Sequence, residues 1–432
     1  MSPAMNQLCT GLIATLKTRL LAPDFLARHR RTPQAFTRKR SLPFVSVLLF
    51  LMNLVKRALQ DELDEFFNLA RAEVVAARVV TKSAFCQARQ KLHAGAFIEL
   101  QRVQVTYFYT HFPCRTWYGL RLWAVDGSTA QLLSTPDIRA HFGQEEAPVP
   151  LARVSQMFDV LNDVTVDALI GPLAAGEREY AACHFAHLGP GDLILLDRGY
   201  PAFWLFVLIV AAGADFCARM PIGVWNVVNA FVASGQREQI IDLCPCTAAR
   251  HACRTRHLST QPLKVRLLRI ELESGQVEVL LTTLLDPERY PHAVFKALYH
   301  RRWPVEEDYT VMKSRLEVEN WSGKSALTVY QDFYAKLFTK NLTAMLAFPA
   351  QEMVTQQSQG KQYTYQINFT HALSKMKDTV VCLFQRAEVL HLLTRLWDVW
   401  THTIEPIRPQ RKYPRPKSTR HKRFSMTYKP LR

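Results

Sequence analysis

Residues 191–220 constrain the fold more than any other stretch of this chain. Gly191-Asp192-Leu-Ile-Leu-Leu196 is a short apolar run with the pattern of a buried strand, and it stops at Asp197-Arg198-Gly199-Tyr200. The apolar stretch Ala202–Ala212 predicts a helix, and Asp215–Met220 a further strand. Upstream, Tyr118–Val125 is another apolar, aromatic-rich strand, ending at Asp126-Gly127-Ser128-Thr129. Arg153–Ile170 alternates about Asn162-Asp163, a two-residue hairpin signal. Strand, hairpin, strand, helix, strand implies a mixed α/β sheet with helices packed on it.

The flanking sequence has a different character. Residues 1–43 are mixed, with a basic run from Arg28 to Arg40. Residues 44–110 read as helices, because Leu51, Leu54, Leu59, Leu63, Phe66 and Leu69 recur at helical steps. Thr81–Leu92 reads as a helix capped by Thr81 or Ser83. Its exposed face is expected to carry Lys82, Arg89 and Lys91, either as a recognition surface for DNA or as a plain solvated face. Residues 221–287 are β-rich, with a hairpin about Ser274-Gly275, and helices are expected again from Ala293 to roughly Ala350. A polar loop over 351–364 and a helix over about 369–400 follow. Ile404–Arg432 is rich in Pro, Lys and Arg, predicting an extended basic tail suited to the DNA backbone. The expected domains are 1–115 (helical, DNA-end-binding), 116–220 (first part of a catalytic core), 221–290 (β-rich insertion), 291–350 (catalytic helix and end of the core) and 351–432 (C-terminal helices and tail).

Bulk properties narrow the function classes. Hydrophobic residues are 48% of 432, which excludes a largely disordered chain. Lys plus Arg outnumber Asp plus Glu by 54 to 37, a net charge of +17 that favours a polyanionic partner. The apolar runs Phe44–Val55 and Pro201–Ala214 fall short of the ~20 residues that a spanning helix needs. Met1–Leu16 lacks the basic start and cleavage site of a secretory signal. Nine cysteines at irregular spacing fit a reducing compartment. A cytoplasmic, nucleoid-associated protein without membrane contact is the expectation. Gly323-Lys324-Ser325 resembles the end of a phosphate-binding loop, but Val318 stands where that motif needs glycine.

The chemistry-bearing residues are acidic. Asp126 and Asp197 each follow an apolar strand, and strand ends of open α/β sheets collect active sites. Singly, each is equally a turn former. A third carboxylate lies in Tyr299-His-Arg-Arg302-Trp303-Pro304-Val-Glu306-Glu307-Asp308-Tyr-Thr-Val-Met-Lys313. On a helix, seven residues return to within about 20° of the starting face, so Glu306 and Lys313 share a face. Glu307 and Asp308 point about 100° and 200° away. Pro304 suits the first turn of a helix, which would leave Tyr299–Trp303 on a preceding helix or turn. Three carboxylates meeting at one point repel unless cations neutralise them, and two Mg²⁺ ions about 3.5–4 Å apart would do so. Trp225 is a weaker candidate for stacking on DNA. Cys244, Cys246, His251 and Cys253 form a zinc candidate of uncommon spacing.

The Tyr299, Arg302, Glu306, Lys313 spacing resembles the signature of the IS-four group of bacterial insertion-sequence transposases. Asp126-Gly-Ser-Thr and Asp197-Arg-Gly-Tyr are similar to its two aspartate motifs, and the resemblance spans roughly 40–430, including Arg408-x-x-Arg411-x-x-Pro-Arg415. It implies a ribonuclease H-like core with a β-rich insertion, for which the gap of 109 residues (306 − 197) has room. It implies Asp126, Asp197 and Glu306 as catalytic ligands of Mg²⁺ or Mn²⁺. Tyr299, Arg302, Lys313 and Arg198 would contact DNA, and Trp303 would stack on a displaced base. A cut-and-paste transposase acting on terminal inverted repeats and target DNA, as a homodimer in the synaptic complex, follows. The alternatives are a Mg²⁺-dependent structure-specific nuclease without strand transfer and an inactive DNA-binding regulator.

Overall fold

The computed structural model describes residues 3–38, 40–71, 78–143 and 146–408. The chain opens with helices α1 (Pro3–Leu21), α2 (Pro23–His29), α3 (Phe44–Met52), α4 (Leu59–Arg71), α5 (Lys82–Arg89) and α6 (Gly95–His111). An alternating region follows: β1 (Arg121–Gln131), α7 (Pro136–Phe142), β2 (Leu151–Asp159), β3 (Val164–Pro172), α8 (Glu177–His184), β4 (Asp192–Leu196), α9 (Phe203–Ala211) and β5 (Asp215–Met220). Next come α10 (Asn226–Ser234), β6 (Glu238–Leu243), α11 (Thr247–Thr255), β7 (Leu263–Glu271), β8 (Val277–Thr282), α12 (Val294–His300) and α13 (Pro304–Ser314). Last are α14 (Ala326–Gln357), β9 (Thr364–Ile367), α15 (Phe369–Gln385), α16 (Val389–His402) and β10 (Ile404–Ile407). Of the expected basic tail, the residues from 409 onward lie outside the described residues.

The chain divides into two compact units, one of Arg115–Thr129 and Ala152–Tyr309, the other of Met1–Cys114, Ala130–Leu151 and Thr310–Arg432. The first is built on an eight-stranded sheet of order β3-β2-β1-β4-β5-β8-β7-β6. β1, β4 and β5 are parallel, whereas β2 with β3, and β5 through β8 and β7 to β6, pair antiparallel. Every residue of β4 is buried, as its unbroken apolar run requires. On one face Leu122, Ala124, Leu193, Leu195 and Cys217 pack with Leu268, Leu280, Phe295, Leu298 and Val305, so α12 and the start of α13 lie on the sheet. This is the α/β mixed sheet flanked by helices that the sequence predicts, with β6, β7 and β8, from the stretch expected to be an insertion, extending it. The insertion also contains α10 and α11. The valines of α10 read locally as strand, but Val228 and Phe231, three apart, are the residues it buries, and Gly235 at φ 71° ends it.

The second unit is helical. Ser325 and Thr328 form a capping box that starts α14, which accounts for the Gly-Lys-Ser sequence without any phosphate site. α14 is buried from Gln331 to Ala350 and packs against α1, α3, α6, α15 and α16. It runs seven residues past Ala350, where a loop was predicted. Of the two expected caps, Thr81 rather than Ser83 caps α5. The exposed face predicted for α5 is wrong at Arg89, which is 1% exposed. Its guanidinium meets Asp332, Gln331 and Ser322, polar partners far along the chain that a helical wheel cannot reveal.

Candidate functional site

The register of β1 with β4 brings the first two acids together. Val125 pairs with Leu196 at the end of the parallel ladder, so Asp126 and Asp197 are the next residues on two neighbouring strands. Adjacent strands lie about 4.8 Å apart, which makes these carboxylates neighbours through the backbone alone. β5 continues the row, because Leu196 pairs with Ala218 and Arg219 follows. Asp126 is not at the end of its strand, as predicted from Gly-Ser-Thr, but inside the eleven residues of β1. The strand runs on because β2 flanks it as well, and such pairing overrides local turn preference. The Asp126 side chain turns back to accept the Gly127 N–H at 2.9 Å.

Glu306 comes from α13. Pro304 opens this helix, so Tyr299 sits on α12 and Arg301–Trp303 form the turn between. The Gln156 amide of β2 donates to the Val305 carbonyl at 3.4 Å and tethers the helix start. Arg302 donates to Glu306 Oε1 at 2.5 Å, and the Tyr299 hydroxyl donates to Asp197 Oδ1 at 3.2 Å. Glu306 is half-buried, Glu307 exposed and Asp308 buried. Arg198 is exposed, and so is Trp303 at 40%. Trp303 borders a cavity of about 570 Å³ with an apolar lining of Ile270, Leu272 and Leu280 and a charged one of Arg219, Lys296, Arg302 and Glu278, the last paired with Arg219 at 2.7 Å. Trp225 is half-buried, its ring 6.3 Å from that of Phe206. Lys313 lies seven residues beyond Glu306 on α13 and is described with the helical unit. Burial lowers its ammonium, against the attraction of Glu319.

The electrostatics of the acids follow from burial and proximity. Burial pushes Asp126 up to about 6, and the Glu306 and Asp197 charges add to this, against the Gly127 N–H and Arg302. Burial opposes the charge on Arg302, but Glu306, Tyr299 and Asp197 outweigh it and raise its guanidinium. Among the described residues, no three His, Cys, Asp or Glu side chains are gathered closely enough to hold a metal ion. Cys244, Cys246, His251 and Cys253 therefore form no such group. Nor do the three acids form a finished cage, since Arg302 occupies Glu306. Their chemistry nevertheless suits a hard divalent cation. They are three carboxylates that act on one another, and one of them is pushed up by burial and its like-charged neighbours.

Sequence reasoning missed several neighbours of these acids. The Tyr309 hydroxyl donates to the Asp126 carbonyl at 2.8 Å and ties α13 to β1. Glu177 of α8 lies against Gly127, its carboxyl carbon 3.4 Å from where a Cβ would stand, and it pairs with Arg153. Tyr200 is 3% exposed. Burial raises its hydroxyl, with Asp126, Glu177 and Asp197 adding to the effect. Tyr309 has a partial signal, four residues from Val305 on the inward side of the helix. Tyr200 closes the Asp197-Arg-Gly-Tyr motif, which marks the residue but not its role, and Glu177 has no signal in the sequence.

No protein-family model matches the chain. Transposase InsG for insertion sequence element IS4, of Escherichia coli (strain K12), is 25% identical over 334 residues, which span 74% of this chain and 74% of that protein. Among solved structures, the cryo-EM structure of the piggyBac transposase synaptic complex with hairpin DNA is similar with a TM-score of 0.44 and 9% identity, over 95% of this chain and 88% of that one. No described helix is long and apolar enough to cross a membrane.

Proposed function

We propose that this protein is a DNA transposase, which cleaves strands at the ends of an insertion sequence and joins the freed 3′ ends to target DNA by a cut-and-paste route. The observation that carries this reading is that Asp126 and Asp197 are neighbours by strand register, with the Tyr299 hydroxyl bonded to Asp197 and the Arg302 and Glu306 charges acting on Asp126 where α12 gives way to α13. Similarity to a named transposase over 74% of the chain supports it independently.

Asp126, Asp197 and Glu306 would hold Mg²⁺ or Mn²⁺, two ions in the fullest arrangement, which supply the Lewis acidity for activating water and stabilising the leaving 3′ oxygen. The remaining residues bind and orient. Arg302 presents a planar fork suited to phosphate, and Arg198 adds an exposed cation. Tyr299 holds Asp197. The cavity beside Trp303 suits a displaced base, with apolar walls for its faces and Lys296 at its rim for a phosphate, while Arg219 and Arg302 are paired with Glu278 and Glu306. Lys313 would contact the DNA backbone. Each chemical step is a phosphodiester transfer, so one set of acids serves cleavage and joining. Paired element ends call for two protomers in the active complex.

The test uses DNA carrying the element ends. Alanine at Asp126, Asp197 or Glu306 should abolish strand cleavage in Mg²⁺ or Mn²⁺ while end binding persists. Full cleavage by Asp197→Ala would exclude the assignment. Pre-cut 3′-OH ends supplied with a target plasmid should be joined by the wild-type protein. Cleavage without joining would make it a nuclease instead.

A further inference from the structure

Three tyrosine hydroxyls lie around the acids, and they differ in one respect. Tyr299 donates to Asp197, and Tyr309 donates to the Asp126 carbonyl. The hydroxyl of Tyr200, a residue as buried as Tyr309, has no hydrogen-bond partner among the described residues. Its position is nonetheless fixed. Tyr200 N–H bonds to the Asp197 carbonyl at 3.0 Å, and Arg178 holds the Gly199 carbonyl at 3.1 Å. The charges that act on it are those of Asp126, Glu177, Asp197 and Arg302, which places it among the carboxylates. One donor of Arg302, its Nε–H, is likewise buried without a partner among the described residues.

A buried donor left unpaired is a net cost to the free protein, and native structures keep few of them. Two such donors, on side chains near enough for the Arg302 charge to act on the Tyr200 hydroxyl, indicate a ligand that arrives later. The ligand must offer acceptor oxygen, because both groups donate, and the guanidinium favours a negative charge. A metal ion offers neither. We propose that Tyr200 is a substrate-binding residue whose hydroxyl donates to a non-bridging oxygen of the scissile phosphate, beside the Arg302 Nε–H. This rests on the transposase reading above and names a contact within its site.

The experiment compares Tyr200→Phe with the wild-type full-length protein. Removing an unpaired hydroxyl should leave Tm without DNA unchanged or slightly higher, whereas Tyr309→Phe, which breaks an internal bond, should lower it. Single-turnover cleavage of element-end DNA by Tyr200→Phe should fall about tenfold to a hundredfold, the range for one hydrogen bond to a charged group. With a methylphosphonate at the scissile position, wild type and variant should cleave at rates closer together, because the accepting oxygen is gone. A drop in Tm for Tyr200→Phe, or an undiminished cleavage rate, overturns the proposal. If the wild-type protein cleaves no DNA, the transposase reading fails on its own. The rise in Tm on adding duplex DNA then decides the contact: a smaller rise for Tyr200→Phe supports it, and an equal rise refutes it.

Discussion

Replacing Arg89 or Asp332 separates a structural role from a DNA-binding one. The Arg89 guanidinium donates to Asp332 Oδ1 at 2.8 Å, Ser322 Oγ at 2.8 Å and Gln331 Oε1 at 2.9 Å. Asp332 also accepts the Ser322 N–H. Arg89 is 1% exposed and Asp332 4%, so neither charge can turn to water. Removing one partner of a buried ion pair costs about 3–5 kcal/mol, because the other charge stays behind. Asp332→Ala, which strands the guanidinium, should lie at the upper end. Arg89→Ala should lie lower, since Asp332 keeps its bonds from Ser322. The double variant should be less unstable than the sum of the two, with a coupling of roughly 0.5–3 kcal/mol. Urea unfolding reads this directly. At a slope of about 1–3 kcal/mol per molar, a loss of this size moves the midpoint by 1 M or more. If Arg89→Ala left the midpoint in place, weakened DNA binding and lowered the salt slope by about one, Arg89 would be a phosphate contact and the buried assignment would be wrong.

Two further substitutions test the packing. A Cβ at Gly323 would stand 2.6 Å from Cβ, Cγ2 and Oγ1 of Thr328, within the α14 cap, so Gly323→Ala should lower stability by about 1–3 kcal/mol; an unchanged unfolding midpoint would refute the clash. Asp167 bonds the buried His184 at 2.7 Å, which in turn reaches Ser155 at 3.0 Å. Burial raises the Asp167 carboxyl, but His184 and His187 outweigh it and hold it well below the usual range. Its contribution is therefore present above the unfolded value of about 3.9 and disappears as pH falls towards the folded one. Asp167→Asn should cost about 1–3 kcal/mol at pH 7, and the gap from wild type should close below roughly pH 4; a gap independent of pH would contradict the depressed carboxyl.

β1 and β4 were legible as short apolar runs and β2 with β3 by alternation about Asn162-Asp163, and β5 falls on Asp215–Met220 as predicted. The caps of α5 and the break before α13 were legible for the same local reason: Thr81 and Pro304 act on their own neighbours. What was not legible depends on partners distant in sequence. Gly127-Ser128-Thr129 reads as a turn until β2 is placed beside it. Arg89 reads as a surface cation until Asp332, 243 residues away, is placed against it. Tyr200 reads as the end of the Asp197-Arg-Gly-Tyr motif, and only the unpartnered oxygen, among the described residues, gives it a role. The spacing of Arg302 and Glu306 was visible, but not that the two would bond to each other. The sequence likewise could not show that burial would push Asp126 up to about 6.

The chain leaves β5 at Met220, adds β6 and β7 at the edge of the sheet, and comes back beside β5 only at Val277, since β5 and β8 are neighbours. Residues can thus be gained or lost along that excursion while its two anchor points stay put. Divergent copies of such a gene would be expected to vary most in length there, and least in the short ladder that spaces the first two acids.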